Sequence, residues 1–240
     1  MKSVGDSLLA SSYASVGDQI LVQSDFELAS LQSSLDIFEA DSIKVGKPLP
    51  KRLDVIALVS GLEFSESLQT ELQAVQAELS CCLEGVNHYW VEQKRLAVEY
   101  FVFKWPGDKY MEEVEMKARK ACELVPLNAF DLLITGIQIH QDGCVVARGF
   151  DSDNMLRNSR RFFREFDPLF PEKQSNWAHI PLGRILEPIG SERFGLLKRK
   201  IEEISARLYL RERICDAKLV FESRWYMLEY RVLQKLSLSV

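Results

Sequence analysis

Only three of the 240 residues are histidine, and the five cysteines contain no CxxC pair. Without cysteines and histidines at zinc-finger spacing, a zinc site would have to be assembled from distant segments. The cysteines are therefore expected to be reduced thiols, mostly buried. No glycine-rich loop of the GxGxxG or GxxxxGK[ST] type occurs, which argues against Rossmann or P-loop nucleotide binding. The sequence predicts a protein with no metal ion and no cofactor.

Long apolar runs are also missing, because stretches such as 53–59 (LDVIALV) are far shorter than the roughly 20 residues that cross a bilayer. In residues 1–18 no positively charged start is followed by a continuous apolar stretch, so a signal peptide is not expected, and the acidic residues argue against a basic transit peptide. A cytoplasmic location is the expectation. The net charge of −5 gives no general attraction to double-stranded DNA or to an anionic membrane, so neither partner is expected.

Residues 1–50 differ in composition from the rest of the chain. They are rich in serine and acidic residues, lack sustained periodicity, and end in the turn-forming sequence GKPLPKR. We interpret 1–50 as a variable acidic N-terminal extension, with the apolar stretches 19–22 and 28–38 able to form a short helix. The regular domain is predicted to span 51–240.

From residue 51 onward, strand patterns and amphipathic helix patterns alternate. Strands are predicted at 53–59, 96–103, 131–140, 144–150, 177–186, 214–223 and 225–236. Helices are predicted at 68–82, 111–125, 154–166 and 194–208. Asp142-Gly143 supplies the positive-φ positions of a tight hairpin. This hairpin and a second one at Ser223-Arg224 introduce antiparallel pairs, so a mixed α+β domain of two similar halves is predicted rather than a doubly wound parallel sheet.

The segment WAHIPLGRIL (177–186), together with the order of elements, resembles the 2H phosphoesterase superfamily of LigT-like proteins, 2′-5′ RNA ligase-like proteins and cyclic phosphodiesterases. The hallmark of that superfamily is a pair of H-h-[ST]-h motifs, where h is apolar, facing each other across a cleft. His179-Ile180-Pro181-Leu182 resembles the second motif, with Pro181 in place of serine or threonine. Over roughly 51–238, the resemblance implies a bilobal α+β fold, with two pseudo-symmetric lobes of mixed or antiparallel sheet and outer helices around a central cleft.

The first motif is degenerate. At the matching strand, 82 positions before His179, the sequence reads Ala97-Val98-Glu99-Tyr100. In a 2H enzyme the two imidazoles share the general base and general acid roles, and the hydroxyls hold nonbridging phosphate oxygens. Alanine can do neither, and Pro181 supplies neither a hydroxyl nor a backbone donor.

Three hypotheses follow. In the first, the chain is a pseudoenzyme whose cleft binds a nucleotide, an RNA end or another phosphoester, with Ala97, Pro181 and Tyr226 as cleft positions. In the second, it is a divergent phosphodiesterase in which His179 acts with Glu99 or a nearby group. In the third, it is a protein-interaction module that docks a partner through the N-terminal extension or through an arginine face of one helix. That face is formed by Arg157, Arg160, Arg161 and Arg164.

Several further residues have simpler interpretations. The arginine face is predicted to be solvated, on the outside of its lobe. Arg184 lies five residues after His179 and so, in an unbulged strand, on the opposite face and outside the cleft. His140 is predicted to be a solvated turn residue, and His88 a loop or strand-entry residue. Residues Trp225, Tyr226 and Tyr230 are predicted to pack against the sheet within the last strand, with Tyr226 retained as a cleft residue.

Overall fold

The computed structural model describes residues 4–109, 111–151 and 153–239. Within these ranges the chain forms seven α-helices and nine strands. The helices are α1 (Val4–Leu21), α2 (Leu28–Leu35), α3 (Ala40–Lys44), α4 (Glu66–Cys82), α5 (Met111–Leu124), α6 (Met155–Phe166) and α7 (Ser191–Arg207). The strands are β1 (Val55–Gly61), β2 (His88–Trp90), β3 (Ala97–Lys104), β4 (Phe130–Ile139), β5 (Cys144–Asp151), β6 (Ile180–Ile185), β7 (Leu210–Ile214), β8 (Asp216–Arg224) and β9 (Glu229–Ser237).

The strands form two sheets, and every pair of neighbouring strands is antiparallel. The first sheet has the order β3-β1-β8-β9, and the second has the order β2-β6-β5-β4-β7. Helices α5 and α6 pack on β3 of the first sheet, while α7 packs on β4 of the second and on α4. The predicted α+β architecture is confirmed.

The predicted hairpin between β4 and β5 is confirmed, and its turn has the expected chemistry. Gly143 adopts φ +86°, and the Asp142 carboxylate accepts a hydrogen bond from the Cys144 amide at 3.0 Å. The second hairpin differs from the prediction, because residues 225–228 form a turn and β9 begins only at Glu229. The prediction that Trp225 and Tyr226 lie within a strand is therefore wrong.

Two strands escaped the sequence pattern because neither has a clear apolar period. Strand β2 has three residues, and it pairs with β6 through His88↔Ile185, so His88 does lie at the start of a strand. Strand β7 (LRERI) is mostly charged and forms the edge of the second sheet beside β4.

Residues 4–50 pack into the same core as the rest of the chain. Helix α1 contacts β4 and β5, and α2 contacts β6. Tyr13, Phe26, Leu31 and Phe38 are almost fully buried. Phe26, Leu31 and Phe38 belong to the hydrophobic cluster that contains the residues of both sheets. The domain boundary near residue 50 stays a prediction, but the segment before that boundary is joined to both sheets by its buried side chains.

The five cysteines are all free, as predicted, but they are not mostly buried. Cys122 and Cys144 are buried, Cys82 is half-buried, and Cys81 and Cys215 are exposed. Among the described residues, no helix combines the length and apolarity that a bilayer crossing requires.

The close approach of β5 to the segment before β6 gives a stability prediction. A Cβ on Gly149 would overlap the carbonyl group of Ala178, and that backbone oxygen cannot move without disturbing the strand. We expect Gly149→Ala to lower the free energy of unfolding by about 2 kcal/mol or more, through overpacking. The matched control is Gly195→Ala inside α7. There the nearest atom is 3.7 Å away, at the end of the flexible Arg199 side chain, so a gain of about 0.5–1 kcal/mol is expected. Urea unfolding of the two variants checks both signs.

Candidate functional site

The five residues singled out from the sequence line one cavity between the two sheets. Ala97 and Glu99 reach it from β3, His179 and Pro181 from the start of β6, and Tyr226 from the turn between β8 and β9. The cavity has a volume of about 250 Å³. It is close to the lower end of the roughly 300–1,000 Å³ range typical of small-molecule sites.

The two motif strands present their side chains to the cavity in the same way. In β6, Val145 and Val146 of β5 are paired with Gly183 and Pro181, so Leu182 is an extra residue that forms a bulge. In β3, Leu58 and Val59 of β1 are paired with Phe101 and Glu99, so Tyr100 is the extra residue. The two bulges lie 82 positions apart, as do Ala97 and His179. The structure therefore repeats the same local geometry in both halves, with Ala97, Glu99 and Val102 where the other half has His179, Pro181 and Arg184.

The bulge in β6 overturns the prediction for Arg184. The extra residue reverses the alternation of side chains beyond Leu182, so Arg184 lies on the cavity side with His179 and Pro181. The carbonyl of Leu182 accepts hydrogen bonds from the Gln76 side chain and the Val91 amide, both at 2.9 Å, and these bonds hold the bulge.

The Arg184 guanidinium is held by groups from three parts of the chain. Its Nη1 donates to Asp142 Oδ2 at 2.8 Å and to the hydroxyl of Ser34 in α2, and its Nε donates to the hydroxyl of Tyr226. The Ser34 hydroxyl in turn donates to the carbonyl of Asp142. Arg184 thus connects the second sheet, the N-terminal segment and the β8–β9 turn of the first sheet.

His179 is the imidazole that lines the cavity. Burial lowers the pKa of His179 to about 3, and the positive charges of nearby Arg160 and Arg184 act in the same direction. The ring is therefore neutral at physiological pH. Its Nδ1 is buried and has no hydrogen-bond partner among the described residues, so it is available for a hydrogen bond to a bound molecule.

The prediction that His140 is a solvated turn residue is wrong. Its ring centroid lies 4.9 Å from that of Trp177 and 6.3 Å from that of His179, and its Nε2 is buried without a hydrogen-bond partner in the described part of the chain. Burial lowers the pKa of His140 as well. His140 directly follows β4, and its ring packs against two residues of the cavity wall without itself lining the cavity.

Two carboxylic acids also line the cavity. Burial raises the pKa of Glu99, opposed by the charge of Arg160. Glu222, from β8, is only 6% exposed, and burial raises its pKa to about 8. Its Oε1 accepts a hydrogen bond from the Met227 amide at 2.7 Å, and the proximity of Glu99 adds to the upward shift. Both acids therefore favour their neutral forms more than exposed carboxyls do.

Arg160 corrects the predicted arginine face. It is only 5% exposed and donates to the carbonyls of Tyr100, Glu99 and Trp177 at 2.7–3.0 Å, so it links α6 to both motif strands. Arg157, Arg161 and Arg164 are exposed, as predicted. Periodicity assigned four arginines to one face, but it could not reveal that the backbone beside α6 offers three carbonyls to one of them.

The remaining lining of the cavity is largely apolar and aromatic. β1 presents the alternating residues Val55, Ala57 and Val59 to the cavity. Three tryptophans complete the walls: Trp105, Trp177 and Trp225. The Trp105 and Trp225 rings lie 6.5 Å apart. A third arginine, Arg95, also lines the site and donates to the carbonyls of Met227 and Leu228.

Sequence reasoning missed Glu222, Arg160, Arg95 and the three tryptophans. Trp177 carried a usable signal, because it lies two residues before His179 and so on the same face of an extended segment. The others approach from distant parts of the chain, and only the packing of the two sheets brings them together. Among the described residues, no group of three or more histidine, cysteine, aspartate or glutamate side chains is placed to hold a metal ion.

Comparison with known proteins supports the fold. No protein-family model matches the chain, and no curated protein sequence matches it. Solved structures do match. The conserved protein of unknown function ATU0111 from Agrobacterium tumefaciens has 15% identity and a TM-score of 0.57, over 82% of this chain and 89% of its own. LigT from E. coli complexed with ATP has 10% identity and a TM-score of 0.52, over 78% and 99%.

TT0787 from Thermus thermophilus has 16% identity and a TM-score of 0.51, over 78% of this chain and 97% of its own. At such identities these matches describe the fold alone. The chain has the 2H phosphoesterase fold, and the fold prediction made from the sequence is confirmed.

The raised pKa of Glu222 predicts a specific dependence of stability on pH. The pKa of Glu222 is about 8 in the folded protein, against an ordinary value of 4.5, so the folded state binds the proton more tightly than the unfolded state does. The contribution of Glu222 to the free energy of unfolding therefore falls as the pH rises from 4.5 to about 8. His179 has the opposite effect between pH 6.5 and about 3, because its neutral folded form loses stability as the pH falls. In the interval from pH 6.5 to 8 the buried carboxyls Glu222 and Glu99 are the groups that respond, and the comparison with a Glu222 variant separates the contribution of Glu222.

We expect the wild-type protein to lose about 1–2 kcal/mol of stability between pH 6.5 and 8, and Glu222→Gln to lose much less. Glutamine keeps the acceptor for the Met227 amide and does not ionise. Urea unfolding at several pH values in this interval is the measurement. Parallel stability curves for the two proteins would contradict the assignment.

Proposed function

We propose that this protein binds a phosphoester, namely a nucleotide or an RNA end, in the cavity between its two sheets, without the acid–base pair of a 2H enzyme. One observation carries the proposal. The two halves present equivalent positions to the same cavity, and one is occupied by His179 while the other is occupied by Ala97. One imidazole therefore lines the cavity at a pair of equivalent positions where the resemblance to 2H enzymes implies two.

The charge of the cavity suits an anion. Three guanidinium groups line it, those of Arg95, Arg160 and Arg184. They face two carboxyls, Glu99 and Glu222, whose raised pKa values reduce the negative charge that they carry at neutral pH. Asp142 and Glu92 pair with Arg184 and Arg95, so the positive balance rests on Arg160, in a partly enclosed space where charges act more strongly than in water.

The walls suit a nucleobase. Trp105, Trp177 and Trp225 offer aromatic faces, and stacking of a base on such a face contributes about 1–3 kcal/mol. LigT from E. coli, which has a similar fold, was solved in complex with ATP. That structure supports a phosphoester as the ligand class, and the aromatic walls favour a nucleotide over inorganic phosphate.

Filling part of the cavity should weaken binding. In Ala97→Leu, three carbon atoms are added at a half-exposed position on the cavity wall, so we expect the affinity for ATP or for 3′-AMP to fall at least tenfold. The matched control is Ala77→Leu on the exposed face of α4, which should bind like the wild type. Isothermal titration calorimetry measures the affinities, and the melting temperature confirms that both variants are folded.

The absence of any shift in melting temperature with ATP, 3′-AMP and a short RNA bearing a 3′-phosphate would contradict the proposal. Equal losses of affinity in the two variants would also contradict it, because they would place the ligand outside the cavity.

A second candidate function is hydrolysis of a phosphodiester or a 2′,3′-cyclic phosphate. The observation that favours it is geometric: the unpartnered Nδ1 of His179 and the carboxyl of Glu222 line one cavity. His179 can orient the attacking water, while Glu222, whose pKa burial raises to about 8, donates its proton to the leaving oxygen and regains one from the water. Water would then form the new P–O bond as the leaving oxygen takes up the proton.

Activity assays separate the two functions. We expect no hydrolysis of 2′,3′-cyclic AMP by the wild-type protein. If the protein hydrolyses it, and if both His179→Ala and Glu222→Gln lower kcat by more than about a hundredfold, the second function is correct and the pseudoenzyme proposal is wrong. Each variant should still melt cooperatively, which separates lost chemistry from lost folding.

Two expectations from the sequence stay predictions. One is a cytoplasmic location. The other is a protein partner, for which the exposed Arg157, Arg161 and Arg164 provide a cationic surface on α6.

A further inference from the structure

The N-terminal segment, residues 4–50, touches the candidate site at three separate places. Tyr13 in α1 packs edge-on against Trp177, with the ring centroids 4.8 Å apart. Ser34 in α2 accepts a hydrogen bond from Arg184. Phe38, which follows α2, packs against Tyr226 with a centroid distance of 6.1 Å. All three contacted residues, Trp177, Arg184 and Tyr226, line the cavity.

The three residues that make these contacts are themselves held in place by further hydrogen bonds and packing. The Tyr13 hydroxyl bonds to both the carbonyl and the amide of Gly149 at 3.1 Å, so its ring is held rigidly beside Trp177. Ser34 is completely buried, and its hydroxyl has both an acceptor and a donor partner in the second sheet. Phe38 is also completely buried, and it contacts Tyr89 as well as Tyr226.

The segment lies on the face of the second sheet that carries His179. Gln138 of β4 is paired with Val146 of β5, which is paired with Pro181 of β6, and paired residues of antiparallel strands share a face. The Gln138 side chain donates to the carbonyl of Tyr13 at 3.0 Å. Helix α1 therefore covers one part of the inner face of this sheet, while the cavity occupies another.

From these contacts we propose that residues 4–50 are part of the binding site, and that Ser34 and Phe38 are positioning residues that set the orientation of Arg184 and Tyr226 toward the ligand. This inference rests on the proposed binding of a phosphoester. It adds that the affinity depends on a segment that the sequence marks as a variable extension. By linkage, a ligand that requires these orientations also stabilises the docked segment.

The test uses point variants of the full chain with matched controls. Ser34→Ala removes the bond to Arg184 while leaving its Asp142 and Tyr226 partners, and Ser33→Ala changes the exposed neighbour on the same helix. Phe38→Leu removes the aromatic contact with Tyr226. Phe26→Leu is its control, because Phe26 is equally buried in the same segment but packs against Phe194, which does not line the cavity.

With 3′-AMP as the probe, we expect Ser34→Ala and Phe38→Leu to raise Kd about three- to tenfold, and both controls to leave it within twofold. Phe38→Leu and Phe26→Leu should lower the melting temperature similarly, since each truncates a buried ring. A purely structural role of the segment would make affinity follow the melting temperature in all four variants. That outcome, or an unchanged Kd in Ser34→Ala, would overturn the inference.

A measurement without ligand keeps the inference separable from the proposed function. Three of the four tryptophans line the cavity, so loosening its walls exposes them to solvent. Acrylamide should quench tryptophan emission more strongly in Ser34→Ala and Phe38→Leu than in Ser33→Ala and Phe26→Leu. If this difference is seen but no nucleotide binds, the positioning role stands and the ligand class is wrong. If the quenching is the same in all variants, the positioning role is rejected whatever binds.

Discussion

The arrangement of the site depends on satisfying one partly buried guanidinium. Arg184 is charged at any physiological pH, and a charge taken out of water is costly unless its donors are paired. Its partners come from the N-terminal segment, from the β4–β5 turn and from the β8–β9 turn. The last of these is Tyr226, which adopts φ +64°, a strained conformation for a residue with a side chain. A single ion thus fixes the relative positions of segments that are distant in sequence, and Arg184 and its partner Tyr226 both line the cavity.

The backbone geometry of the two motif strands is independent of which side chains they present to the cavity. Both motif strands carry a bulge at the same relative position, which turns three side chains of each strand toward the cavity. The bulge in β6 depends on the pairing of the strands and on the side-chain amide of Gln76, which donates a hydrogen bond to the carbonyl of the extra residue, Leu182. It does not depend on whether histidine or alanine occupies the cavity position. The fold therefore constrains the residue at this position only weakly.

Burial determines the protonation of the site more than any single charge does. It keeps His179 neutral and favours the protonated form of Glu222, so the cavity contains uncharged acid and base groups beside fixed arginine charges. Fixed positive charge beside aromatic side chains is the combination on which the proposed nucleotide binding rests. The N-terminal segment contributes to this environment, because its buried aromatic residues Tyr13 and Phe38 pack against Trp177 and Tyr226.

The sequence by itself determined the order of the main helices and strands after residue 51, the hairpin at Asp142-Gly143, the fold and five of the positions that line the cavity. These follow from local periodicity, turn chemistry and a motif whose residues are contiguous in sequence. Only the tertiary structure decided the side of the strand on which Arg184 lies, the burial of His140 and Arg160, and the entry of Glu222 into the site. A bulge inverts the alternation of side chains without changing composition, and burial depends on segments that pack from elsewhere in the chain. A local sequence pattern therefore predicts neither the position of a bulge nor the burial of a side chain.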